Sequence, residues 1–78
     1  MLSEMEIKGT KELEFVIFCV ESVAAELGKN AEQVYNILAE NNIIHGYIVP
    51  EYEVLHTQSK EYIVEDIIEV MKERGVEV

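Results

Sequence analysis

Six consecutive apolar residues, Phe15 to Val20, sit inside a segment otherwise patterned for an amphipathic helix. Thr10 is placed to cap that helix, and Glu12 and Glu14 lie in its first turn, where the helix dipole favours anions. Leu13, Val16, Ile17, Val20, Ala24 and Leu27 form one stripe at helical spacing. Phe15, Phe18 and Cys19 widen the stripe almost all the way round. A helix that is apolar on every side in its middle must be covered on every side. In a chain of 78 residues, that requires a central helix wrapped by the others, or one partly buried between copies. Phe15 and Phe18 cannot both face the stripe that holds Val16 and Ile17, because neighbours on a helix diverge by about 100°. An aromatic patch left outside is an association site, so a homodimer is expected.

The next segment, VAAELGKNAEQVYNIL, carries the spacing of a helix-turn-helix core. Ala24 is small enough for two helices to approach closely. Gly28 takes the positive φ that ends the first helix. Asn30 opens a second helix as its N-cap, with Gln33 completing a capping-box pattern. Val34, Ile37 and Leu38 form the buried face of this helix, and the Asn41-Asn42 pair ends it. A helix-turn-helix suggests a nucleic-acid reader, but DNA affinity rests on Lys and Arg neutralising phosphates. The second helix holds Glu32 and Glu40 and no basic residue. Sixteen acidic residues against six basic ones, a net charge of −10, argue against nucleic acid and anionic membranes as partners. The same charge favours encounter with a basic protein.

Residues 43–56 read two ways. Gly46 breaks the pattern, and Tyr47-Ile48-Val49 reads as extended before Pro50. Pro50 serves equally as the first residue of a short helical turn through Leu55. There is too little alternating sequence for a winged hairpin. The last helix starts near Ser59, with Thr57 or Ser59 as its cap, and runs to Arg74. Ile63, Ile67, Val70 and Met71 form its core stripe, and Gly75 stops it, followed by an apolar Val76. Residues 1–9 read as a frayed lead-in. The expected fold is all-α: one compact domain over 1–78, of three to four helices around a helix-turn-helix-like core.

Chemistry-bearing patterns are sparse. Cys19, the single cysteine, lies in the apolar run and reads as a buried core thiol. His45 and His56 are spaced for no metal site, and the isolated glycines build no phosphate-binding loop. No cofactor, metal ligand or catalytic residue is assigned, and the chain reads as not an enzyme. No signal peptide or membrane-spanning run is evident, so a cytoplasmic protein is expected. Two surface features stand out. Tyr52, His56, Thr57 and Gln58 occupy a polar turn between Leu55 and the last helix. They serve either as local caps or as a recognition patch anchored by Tyr52 and Tyr62. Glu61, Glu65, Glu69 and Glu73 recur every four residues, a like-charge ridge with Asp66 beside it. That ridge is either a solvated helix face or a docking surface for a basic partner.

The block LHTQSKEYIVEDI, with ELEFVIFCVE and the VYNIL segment before it, resembles a small bacterial family known only as a domain of unknown function. The likeness runs from about Glu12 to Gly75, and Leu55-His56-Thr57-Gln58 and Lys60-Glu61-Tyr62-Ile63-Val64 are its most specific pieces. Position 59 is often Gly in that family, where this chain has Ser59. The resemblance brings no activity or catalytic residues. It does imply gene neighbours similar to ADP-ribosyltransferases, and with them an accessory or antitoxin-like role. The reading is therefore a non-enzymatic protein-interaction module that binds a basic protein surface. A helix-turn-helix transcriptional regulator is the alternative, and a small enzyme using His56 comes after both.

Overall fold

The computed structural model describes residues 10–76, with no side-chain description for Thr10. The lead-in at 1–9 therefore lies outside the described residues, as does the Thr10 side chain on which the expected cap depends. Helix α1 spans Thr10–Leu27, α2 Ala31–Glu40, α3 Tyr52–Leu55 and α4 Lys60–Glu73, with a π-helical turn at Ile44–Ile48 between α2 and α3. The all-α expectation holds. Helix α1 is the spine, packed against α2 and α4. Val16, Cys19, Val20, Val23 and Ala24 of α1 are buried against Val34 and Leu38 of α2 and against Ile63, Val64, Ile67 and Met71 of α4.

Coverage of α1 is incomplete, and this corrects the expected stripe. Ile17 is 48% exposed, while Cys19 and Val23 are fully buried. The buried face is centred on Val16, Cys19 and Val23, at i, i+3 and i+7, because the core lies between α2 and α4. Ile17 is turned about 100° away from Val16, onto the outer side. Phe15 is buried and Phe18 is 39% exposed, so the two rings do divide between inside and outside.

Three helices end in the same way. A residue in the left-handed region follows each: Gly28 at φ 66°, Asn42 at φ 58° and Gly75 at φ 74°. After α1, the Gly28 amide donates to the Ala25 carbonyl and the Lys29 amide to the Ala24 carbonyl, the paired bonds of a Schellman stop. Asn42 and Ile43 repeat the pattern onto Ala39 and Leu38, and Gly75 and Val76 repeat it onto Lys72 and Met71. The turn to α2 is thus three residues long, and Asn30 caps the new helix with the full capping box: its side chain accepts from the Gln33 amide at 3.0 Å.

The extended reading of Tyr47–Val49 is overturned, because the chain stays helical from Ile44 to Ile48. The Ile48 amide donates to the Ile43 carbonyl and the Val49 amide to the Ile44 carbonyl, both at 2.9 Å. These i to i+5 bonds bring Ile48 over Ile43, whose carbonyl also accepts the α-type bond from the Tyr47 amide at 3.1 Å. Ile43, Ile44 and Ile48 are all fully buried, and their shared burial outweighs the breaking signals of Gly46 and Pro50. A Cβ at Gly46 would lie 2.5 Å from Asn42 Nδ2, the tip of an exposed side chain that would have to turn aside.

Two side chains tie this corner to α4. The Tyr47 hydroxyl donates to the Asp66 carboxylate. Arg74 Nη1 donates to the Asn41 carbonyl at 2.8 Å and the Asn42 carbonyl at 3.2 Å, placing a cation at the negative end of α2.

Candidate functional site

Ser59 caps α4, accepting from the Tyr62 amide at 3.1 Å. Thr57 does something else: its hydroxyl donates to the Val54 carbonyl at 2.8 Å and closes the end of α3. That settles the choice between Thr57 and Ser59. From this cap the four-residue spacing runs outward. Glu61, Glu65, Glu69 and Glu73 are all exposed on α4. Asp66 does not extend the ridge as expected, because it is half-buried and engaged by Tyr47.

The upper part of the ridge borders a cleft. Between the second half of α1 and the first half of α4 lies a groove of about 320 Å³, with Glu61 and Glu65 on one wall and Glu26 on the other. Ala25, Val64 and Ile68 give it an apolar floor, and Lys60 stands at the same opening. Glu69 and Glu73 continue along α4 outside this groove. Three carboxylates from two helices around one opening form a local anionic field that attracts cations.

The turn residues are only partly brought together. Tyr52 stacks on His56, with ring centroids 4.6 Å apart and planes 12° apart. The Tyr52 ring also meets Phe15 edge-on at 5.4 Å, and Phe15 is stacked with Phe18 at 6.2 Å. A line of four rings therefore runs from the outer face of α1 to the turn. Thr57 is occupied by its carbonyl, and Gln58 is exposed. Elsewhere, burial pushes the Cys19 thiol up to about 12, which keeps it protonated and unreactive. Tyr47 is also shifted upward, first by burial and then by its bond to Asp66.

One surface feature escapes a reading of the sequence. A second groove, of about 350 Å³, opens between the first half of α1 and the start of α2. Its signal in the sequence is Ala31, a residue too small to cover the broad apolar face of Leu13 to Val20. Among the described residues, no cluster of His, Cys, Asp or Glu is arranged to hold a metal ion. Within the same residues, no helix is long and apolar enough to cross a membrane.

A family model described as "Protein of unknown function (DUF3791)" matches residues 14–74. No curated protein and no solved structure matches the chain.

Proposed function

The chain belongs to the DUF3791 family, and we propose, from the geometry of its surface, that it is a non-enzymatic protein-interaction module that binds a basic protein surface through the acidic face of α4. The observation carrying this reading is the convergence of Glu26, Glu61 and Glu65, from two helices, on one groove with an apolar floor. A partner lysine or arginine entering there meets several carboxylates while its alkyl stem covers Ala25 and Val64. Glu69 and Glu73 extend the field along the helix and steer the encounter. The role is accessory or antitoxin-like, and the setting is the cytoplasm.

The test is affinity purification from the native host at low salt, with the wild-type chain and a Glu61→Gln/Glu65→Gln/Glu69→Gln variant run in parallel. A partner with a basic surface is expected on the wild type. It should be lost from the variant, and lost from the wild type as the Debye length falls below about 10 Å. Equal retention by both chains across the salt series would overturn the reading and leave the ridge as a solvated face.

A further inference from the structure

The α1–α2 groove lies on nearly the opposite side of α1 from the acidic cleft. Leu13, Val16 and Val20 line it from α1 and Ala31 and Tyr35 from α2, with Ile17 on its outer edge. Leu13 to Val20 spans about 10 Å along the helix axis, the length of two helical turns. Its polar border has one sign of charge. Glu21 stands on the α1 side and Glu32 on the α2 side, and among the described residues no lysine or arginine lines the groove. Beyond the edge, Glu14, Ile17, Phe18 and Glu21 follow one another at i, i+3, i+4 and i+7, all of them exposed. The outer face of α1 thus presents two apolar side chains between two carboxylates.

Such a surface selects its occupant by shape and charge. A helix laid in a groove inserts anchors at i and i+3 or i+4, and two turns of length accept one such pair. Flanking residues of that helix then face Glu21 and Glu32, where lysine and arginine are favoured and carboxylates are repelled. A second copy is disfavoured on the same grounds. Its own exposed stripe would bring Glu14 and Glu21 against Glu21 and Glu32, in a chain of net charge −10. We propose that the α1–α2 groove receives an amphipathic, basic helix of a partner protein. This surface is distinct from the α4 face, and it shares with the reading above only the sign of the partner's charge.

The test uses the intact chain and two synthetic peptides of identical lysine, leucine and alanine composition. One has its leucines on a single helical face, and the other is scrambled so that no face forms. The amphipathic peptide is expected to bind about tenfold or more tightly than the scrambled one. Backbone amide shifts should cluster at Ile17, Val20, Glu32 and Tyr35. Ile17→Glu, a change at an exposed position that leaves the core intact, should remove that preference. The Glu61→Gln/Glu65→Gln/Glu69→Gln variant should keep it, which separates this site from the α4 face. Equal affinity for the two peptides, or shifts confined to α4, would overturn the proposal. So would a concentration-dependent dimer that is abolished by Ile17→Glu, since it would assign the groove to a second copy.

Discussion

The Tyr47 hydroxyl donates to Asp66, and both burial and that carboxylate hold its proton in place. An acid whose pKa is raised on folding contributes stability that is present below its unfolded pKa, here near 10, and that declines as pH rises above it. Tyr47→Phe should therefore cost about 1–2 kcal/mol at neutral pH, the lower end of the range for a hydrogen bond to a carboxylate because this one is only half-buried. It should also flatten the loss of stability above pH ~10. Urea titrations of both proteins at neutral and alkaline pH check the pair of expectations. A wild type and variant with parallel alkaline profiles would refute the role given to this proton. Nothing in the sequence ties Tyr47 to Asp66, because they meet across 19 positions. Asp66 looks like one more member of an acidic face until the π-helical turn brings the phenol to it.

At the scale of elements, the caps and stops are readable because each rests on residue types at fixed short offsets. Asn30 with Gln33, Gly28 and Gly75 all behave as their local chemistry dictates. Ser59 belongs with them, and its side chain can be tested directly. Ser59→Ala should destabilise the domain by about 1 kcal/mol, whereas Ser59→Gly should cost only a few tenths, roughly, because glycine is tolerated at an N-cap. Thermal unfolding of the two variants checks the order, and equal losses would mean that the serine bond to Tyr62 contributes little. The π-helical turn is not readable in the same way. Gly46, the β-branched Ile48 and Val49, and Pro50 all argue locally for a break or an extended strand. What overrides them is the joint burial of Ile43, Ile44 and Ile48, a tertiary fact. The ridge is legible from its four-residue period. The two grooves are not, because each is lined by residues of two helices far apart in the sequence or across a turn, and their facing sides are fixed only by the packing.

For the molecule as a whole, the charge of −10 opposes compaction and favours basic partners at once. Glu61, Glu65, Glu69 and Glu73 make three successive like-charge i,i+4 pairs, each costing about 0.2–0.5 kcal/mol. Glu65→Gln/Glu69→Gln relieves all three without touching the buried Ile63 and Ile67. The double variant should unfold at the same temperature as the wild type or slightly higher, with the gain shrinking as salt is added. A lower melting temperature would mean that these carboxylates hold the fold together. Two of the left-handed stops, Gly28 between α1 and α2 and Asn42 before the π-helical turn, are corners, and they have a consequence for kinetics. Each corner is specified within six consecutive residues, from the C3 carbonyl to the amide that bonds it, so direction changes need no distant contact to be in place. A chain in which two corners can form before the core has less loop entropy to overcome in the search for the native state. Helical domains dominated by such local contacts fold in roughly microseconds to milliseconds. Temperature-jump relaxation should therefore show a single fast phase, one that Asn42→Ala slows only to the extent that the second corner is formed at the barrier.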